Sequence, residues 1–362
     1  MNISDKIFER ALSLNPLSRE ELLQLYKFAP TCELMFIANR LRQIHVPNNG
    51  VSWQIDRNVN ITNVCISGCK FCNFHCKPHQ TDKAYTTTID EYCKKIDELI
   101  ALNGDQLLLQ GGLHPDYGLN FYTTLFSELK KRYSSVKLHA LGPPEIAHIA
   151  RKEKKTYIEI LERLVDAGLD SLPGAGAEIL CSRVRKQLSP AKPNSHAWLG
   201  VMREAHRLNL PTSATMVFGH IETLEERIEH LIKIRNLQAK KPQNVYGFLA
   251  FICWAMQLEG TELGEQIGYK TVTTDEFIRT VAISRIALNN IKNIQASWLT
   301  AGKNIAQIAL HAGANDMGSI MIEENVVSAA GVKNSLDAVG IQNAIREAGF
   351  TPWLRNQKYE AR

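Results

Sequence analysis

Three thiols stand close together in Cys65-Ile-Ser-Gly-Cys69-Lys-Phe-Cys72, spaced four and three residues apart. On one loop they can converge on a metal centre. Three cysteines on a four-iron cluster leave one iron without a protein ligand, open to a substrate or cofactor, as a four-cysteine electron-transfer cluster does not. Gly68 lets such a loop turn sharply, and Phe71 can keep water off the cluster and help to set its potential. A second chemistry fits the same residues. Cys76 follows Cys72 by four positions, so four thiols could hold a structural zinc ion, with His75 and His79 as further ligands. The chain would then be a non-catalytic zinc-stabilised binding module. A third reading is simple packing, because an unliganded cysteine often serves as a small core hydrophobe. Cys32, Cys93, Cys181 and Cys253 are isolated and default to that role.

A reactive loop needs a scaffold. The first fifty residues read as helices, with Ser18-Arg-Glu-Glu21 at capping-box spacing ahead of Leu22, Leu23, Leu25 and Tyr26. Beyond Trp53, short β-rich runs alternate with amphipathic helical stretches. Strands are expected at 58–62, 106–110, 136–141, 169–172, 212–218, 247–252, 293–298 and 308–313. Helices are expected between them, at 88–102, 157–167, 197–208, 224–237 and 274–289. Eight strands with intervening helices predict an α/β fold of the (β/α)8 TIM type, with extra helices at both ends. The expected division is a helical segment over 1–52, the barrel over 53–315 and a helical extension over 316–362. The alternative, an open doubly wound sheet, lacks a G-x-G-x-x-G after the first strand.

Barrel enzymes place their chemistry on loops at the carboxyl ends of strands. The cysteine cluster follows the first expected strand. Gly111-Gly-Leu-His-Pro115 follows the second, Gly142-Pro-Pro-Glu145 the third, Pro173-Gly-Ala-Gly-Ala-Glu178 the fourth and Gly219-His-Ile-Glu222 the fifth. Gln295, Ser297 and Trp298 fall near the end of the seventh.

Composition removes several function classes. Lys plus Arg (42) exceeds Asp plus Glu (37) by only five, and the charges are scattered, which gives no electrostatic footprint for nucleic acid. The longest apolar stretch, Tyr246 to Met256, is far short of the ~18 residues of a membrane span. The N-terminus lacks the apolar core of a signal peptide, so a cytoplasmic location with reduced, metal-bound or reactive cysteines is expected, not a disulfide scaffold.

The cysteine loop, with its aromatic residue before the last thiol, resembles the signature of the radical S-adenosylmethionine superfamily. Asn60-Ile-Thr-Asn-Val-Cys65, Leu109-Gln-Gly-Gly-Leu-His-Pro115, His139-Ala-Leu-Gly-Pro-Pro-Glu-Ile146 and Gly174-Ala-Gly-Ala-Glu-Ile-Leu180 are similar to one branch of it. That branch holds aminofutalosine synthase, the deazaflavin-cofactor synthases and the dehypoxanthine futalosine cyclases of menaquinone biosynthesis. Ala214-Thr-Met-Val-Phe-Gly-His220, Asn293-Ile-Gln-Ala-Ser-Trp298 and the stretch from Gly313 to Val327 resemble the cyclase family most. The likeness runs from about Asn60 to Gly331. The chain departs from it at Gly142, where Ser is expected, at Leu258-Glu-Gly-Thr261 and in the segment 75–82 that carries Cys76.

The resemblance implies a 4Fe-4S cluster on Cys65, Cys69 and Cys72, bound S-adenosylmethionine, and a 5′-deoxyadenosyl radical that acts on dehypoxanthine futalosine. It also implies a low-potential electron donor such as a flavodoxin or ferredoxin. Gly111 and Gly112 match the glycine pair that approaches the methionine amino group, although a tight turn also uses glycine. Glu145 and Glu178 would bond ribose hydroxyls or the amino group, or else serve as helix-dipole partners. Arg183 would pair with a carboxylate of methionine or substrate, or form a surface ion pair. His114 and His220 would bind substrate or accept the proton lost on rearomatisation, or be structural histidines. Gln295, Ser297 and Trp298 would meet the aromatic end of the substrate, with barrel core the other role for Trp298. Asn315, Asp316, Glu323 and Glu324 would close the pocket from below or cap helices.

Overall fold

The computed structural model describes residues 3–331 and 334–362. Three helices come first: α1 (Ile3–Leu12), α2 (Arg19–Phe28) and α3 (Thr31–His45). The capping box expected at Ser18 is formed with Glu21. The chain then alternates. In order it forms β1 (Gly50–Gln54), β2 (Asp56–Asn60), α4 (Ile89–Ala101), β3 (Gln106–Gln110), α5 (Leu119–Arg132), β4 (Lys137–Ala140), α6 (Pro143–Glu153), α7 (Tyr157–Asp166) and β5 (Leu169–Ser171). There follow α8 (Ser182–Leu188), α9 (Ser195–Arg207), β6 (Thr212–Phe218), α10 (Leu224–Ala239), β7 (Phe248–Ala255), α11 (Glu262–Ile267), α12 (Thr274–Ala287) and β8 (Asn293–Gln295). The last elements are α13 (Trp298–Ala301), α14 (Lys303–His311), β9 (Asp316–Ser319), α15 (Ala338–Glu347) and β10 (Thr351–Leu354). Threonine capping boxes start α4, α7 and α10, so the turn into each of these helices is written locally.

All paired strands run parallel. One sheet has the order β2-β3-β4-β5, the other β10-β1-β9-β8-β7-β6. A bridge from Leu172 to Thr212 joins them on one side. On the other, β1 and β2 are one bent strand, and β9 runs along both halves: Ser52 pairs with Asp316, and the N–H groups of Ile320 and Ile322 donate to the carbonyls of Gln54 and Asp56. The result is an eight-stranded closed ring, with β10 added to the outer edge of β1.

Two expectations are corrected here. The run 308–313 is not the eighth strand; most of it belongs to α14, and the ring is completed by Asp316-Met-Gly-Ser319. The barrel therefore begins at Gly50 and extends past residue 315, and the region after it contains β10 as well as α15, so it is not purely helical.

Side-chain alternation explains what the ring encloses. Along β1 and β2, Ile55, Val59 and Ile61 join the buried core, while Gln54, Asp56, Asn58 and Asn60 line an internal cavity. Leu107 and Leu109 of β3 pack in the core, whereas Leu108 and Gln110 line the cavity. From β4 and β6, His139, Ser213, Thr215 and Val217 point the same way. The polar side chains inside the ring point to a ligand with polar groups of its own, since unpartnered polar groups are costly in a dry core.

Candidate active site

The cysteine loop crosses the mouth of this cavity, at the carboxyl end of the bent first strand, as expected. Cys65, Cys69 and Cys72 all line a space of about 410 Å³. Backbone pairing anchors the loop: the Cys65 N–H donates to the Cys76 carbonyl at 2.9 Å, and the Cys76 N–H to Asn63 at 2.8 Å. Hydrogen bonds gather at the first two sulfurs. The Ser67 hydroxyl lies 2.9 Å from Cys65 Sγ and 3.3 Å from Cys69 Sγ, Ser189 donates to Cys69 Sγ at 3.1 Å, and the Leu113 N–H donates to Cys65 Sγ at 3.3 Å. Donors aimed at sulfur favour its anionic, metal-binding form. Burial, with Cys69 close by, pushes the Cys65 thiol up, an effect that a bound cation would oppose.

Cys76 is differently placed. Its thiol lies 3.4 Å from the carbonyls of Lys77 and Gln80, and it is not among the cavity-lining residues. His75 puts Nδ1 2.7 Å from the Cys72 carbonyl. Among the described residues, no set of three or more Cys, His, Asp or Glu side chains is already closed as a metal cage. The loop is thus a three-thiol platform facing a cavity, unlike the closed four-ligand arrangement of structural zinc.

Gly111 and Gly112 lie under the loop. A Cβ on Gly112 would fall 2.1 Å from the Val64 carbonyl oxygen, and one on Gly111 would fall 3.0 Å from that of Thr62. The pair lets the β3 strand end press against the cysteine loop while still facing the cavity. Glu145, in the first turn of α6, is buried and lines the cavity, and its Oε2 has no hydrogen-bond partner. Burial raises its carboxyl to about 7. Glu178 also lines the cavity, but with its charge satisfied: Lys192 lies 2.7 Å from Oε1 and Arg185 3.3 Å from Oε2. Although burial opposes it, Lys192 and Arg185 hold the Glu178 carboxyl below its usual range.

Three expected site residues lie elsewhere. Arg183 is an exposed partner of Glu226, bonded also to the Ile221 carbonyl, and does not line the cavity, whereas Lys192 nearby does. Arg185 of α8 and Lys192 in the loop after it turn to Glu178 while Arg183 turns to Glu226, and neighbours distant from this stretch decide between them. His114 stacks on Tyr117 with 3.8 Å between ring centroids and accepts from the Asp116 N–H, outside the cavity lining. His220 has no exposed side-chain surface; Nε2 lies 3.0 Å from the Val217 carbonyl and Nδ1 2.8 Å from Glu222. Against the opposing effect of burial, His220 and Arg227 hold the Glu222 carboxyl down to about 2. His220 is thus a structural residue locking the turn after β6.

Gln295, Ser297 and Trp298 do line the cavity. Gln295 is tied to Asp316 at 3.2 Å, and the Trp298 indole donates to the Ser319 carbonyl at 3.0 Å. Ser297 adopts φ +52°, and its hydroxyl has no partner. Asn315 and Asp316 are buried bracing groups, with Asp316 clamped by Arg355 at 2.6 Å. Glu323 pairs with Arg57 and Lys95, and Glu324 caps the turn at 326–328. Residues that the sequence reading passed over include Asn58, Asn60 and His139. The period-two run of polar side chains at 54, 56, 58 and 60, set among Trp53, Ile55, Val59 and Ile61 and broken only by Arg57, was the available signal for the first two.

Bent ring, three-thiol platform, glycine cradle and an orphaned buried carboxylate together fit a cluster with S-adenosylmethionine on its open iron, and they define a radical S-adenosylmethionine enzyme. Comparison with known proteins agrees. Residues 59–234 match the radical SAM superfamily model and residues 245–362 the model of the CofH/MqnC C-terminal region. The chain is 41% identical to a cyclic dehypoxanthine futalosine synthase of Streptomyces coelicolor, over 98% of this chain and 88% of that one. It is 36% identical to a 5-amino-6-(D-ribitylamino)uracil–L-tyrosine 4-hydroxyphenyl transferase of Archaeoglobus fulgidus, over 90% and 93%. Methylornithine synthase shares the fold, with a TM-score of 0.73 at 17% identity, over 97% of this chain and 98% of that one. The chain belongs to the radical SAM family that carries the CofH/MqnC C-terminal region.

Proposed function

We propose that this enzyme cyclises dehypoxanthine futalosine to cyclic dehypoxanthine futalosine, a step of menaquinone biosynthesis. The observation that carries the reading is the barrel cavity beneath the three-thiol platform, with Gln54, Asp56, Asn58 and Asn60 set among apolar lining residues, in a chain whose identity to a synthase of that name extends over nearly its whole length. When bound, the cluster supplies the electron that splits S-adenosylmethionine into methionine and the 5′-deoxyadenosyl radical, which takes a hydrogen atom from the substrate's ribose. The chain's own part is to bind, orient and exclude. Cys65, Cys69 and Cys72 hold the cluster, Gly111 and Gly112 let the cofactor backbone approach, and Glu145 accepts from its amino group or ribose. Asn58, Asn60 and Ser297 present polar atoms with no protein partner to the substrate. The surrounding ring keeps the radical from the nearest solvent or surface C–H bond.

A low-potential flavodoxin or ferredoxin suits the electron supply, because Lys77 and Lys83 are exposed on the segment that follows the platform and offer an acidic carrier a surface. Such chemistry belongs with reduced thiols in the cytoplasm, and no helix among the described residues is long and apolar enough to cross a membrane. The test is anaerobic. Reconstituted protein with dithionite, S-adenosylmethionine and dehypoxanthine futalosine should give 5′-deoxyadenosine and a product two hydrogens lighter than the substrate. Cofactor cleavage triggered instead by tyrosine with 5-amino-6-(D-ribitylamino)uracil would replace this substrate with that of the archaeal relatives. Cys76→Ala should keep the iron content of wild type and Cys65→Ala should lose it; iron lost from Cys76→Ala would sink the three-ligand assignment.

A further inference from the structure

Cyclisation of this substrate joins a ribose carbon to a ring carbon of the benzoate. The ring regains aromaticity only when the C–H bond at the new junction breaks, its proton going to a base and one electron to the oxidised iron–sulfur centre. The base must stand in the cavity with a free lone pair. The titratable groups that line it, apart from the three cluster thiols, can be taken in turn. Tyr359 lies under the Arg355 guanidinium, 4.0 Å from its ring centre, and burial pushes its phenol well above the usual range, so it stays protonated and is a far weaker base than an imidazole. Glu178 is paired with Lys192 and Arg185. Asp56 accepts from Ser319, Gln54 and Gln106. Glu324 accepts from the backbone N–H groups of residues 326–328. His75 sits on the cysteine loop, its ring against the Cys72 carbonyl. Glu145, in the first turn of α6, is already assigned above to the amino group or ribose of S-adenosylmethionine.

His139 is left. It projects inward from β4, buried, with Nδ1 2.7 Å from the Ser171 hydroxyl of β5. Its Nε2 has no protein partner among the described residues and is not sealed away, so it opens onto the cavity. We propose that His139 Nε2 is the base that takes the ring proton in the cyclisation, with Ser171 holding the imidazole in place. The inference rests on the cyclase reading above.

The environment suits that role. Burial, with the Arg355 guanidinium nearby, lowers the imidazole to about 3, so the ring stays neutral and keeps its lone pair. A weak base is sufficient, because a ring carbon that has bonded to carbon and lost an electron is a far stronger acid than an imidazolium. The same weakness keeps His139 from stripping protons from the ribose or the ketone of the resting substrate. Position matches too: β4 places His139 three residues before Gly142, the N-cap of the helix that bears Glu145, and on the side of the cavity where Arg355 closes the floor.

The experiment compares wild type with His139→Gln, each reconstituted to the same iron content. Wild type should give about one cyclised product for each 5′-deoxyadenosine. In His139→Gln the affinity for dehypoxanthine futalosine, measured by calorimetry without reductant, should change less than about threefold. 5′-Deoxyadenosine should still form, while cyclised product should fall about a hundredfold, the usual reach of a positioned base. In His139→Gly, added imidazole should restore product at unchanged iron content, and this holds as a test even if the glutamine variant folds poorly. A product to 5′-deoxyadenosine ratio in His139→Gln equal to wild type would overturn the assignment. So would weakened substrate binding with both products lost in proportion, or a failure of imidazole to rescue His139→Gly. Wild type that cleaves the cofactor without cyclising this substrate would overturn the cyclase reading and the inference together.

Discussion

At the scale of single residues, Glu145 shows how burial prepares a group for a ligand. Its carboxyl is raised to about 7 by burial, with Oε2 unpartnered. The folded value exceeds the unfolded one, so the folded protein binds the extra proton between about 4.5 and 7, and the stability this gives is lost as pH rises through 7. Fully ionised, the unpartnered carboxylate costs about 3 kcal/mol relative to a solvated one. Ligand-free Glu145→Gln should therefore match wild type near pH 5 and be more stable by about that amount above about pH 8, in urea unfolding at both values. S-Adenosylmethionine should bind Glu145→Gln about tenfold or more weakly, since a charge-assisted bond from its ammonium or ribose is removed. Equal stability across pH would show that water reaches the carboxylate; equal affinity would place the cofactor elsewhere.

At the scale of elements, the cysteine loop and most of the ring were legible because their signals are local. The capping box at Ser18, the short β-rich runs Gln106–Gln110 and Thr212–Phe218, and the thiol spacing each reside in a few neighbouring residues. The eighth strand was not. Ile308-Ala-Leu-His-Ala-Gly313 is a short apolar run, which periodicity cannot assign between helix and strand. The true strand, Asp316-Met-Gly-Ser319, has no β-branched residue, and its strand character comes from partners distant in sequence. The same limit hid the loss of Arg183, His114 and His220 from the cavity, because which way a loop side chain turns depends on the neighbours it meets.

Those distant partners make a second element-scale prediction. Arg355, just after β10, grips Asp316 with Nε at 2.6 Å and Nη2 at 3.1 Å, and also bonds Gln54, while Ser52 donates to Asp316 at 2.6 Å. The C-terminal segment thereby closes the floor of the barrel, where Gln357 and Tyr359 complete the lining. Although burial opposes it, Asp316 holds the Arg355 guanidinium above its usual range. Arg355→Met leaves a buried carboxylate uncompensated and should cost about 3–5 kcal/mol. Arg355→Met with Asp316→Asn should recover part of that loss in denaturant unfolding. If the single variant were as stable as wild type, the floor would be open to water and the cavity would not be sealed from below.

At the scale of the whole molecule, neutral buried histidines set the response to acid. His139, His206 and His230 are buried, and burial lowers them to about 3, 4 and 3, so each must stay uncharged in the folded state while it charges in the unfolded one. Their folded values lie below the ordinary one, so the unfolded chain binds more protons as pH falls below about 6.5 and stability drops. Between pH 7 and pH 5 the three together remove about 5 kcal/mol, and the protonation of Glu145, with the opposite sign, returns about 2. The net loss of about 3 kcal/mol is a large share of the 5–15 kcal/mol that holds a typical domain. Glu222, held down to about 2, loses its ion pair with Arg227 only under more acid conditions and so adds nothing in this window. Urea unfolding of the cluster-free chain should show the midpoint falling between pH 7 and pH 5, and His206→Gln, which removes one titrating ring at the Thr212 hydroxyl, should flatten the curve by about 2 kcal/mol. A midpoint independent of pH over that range would mean that the rings are hydrated.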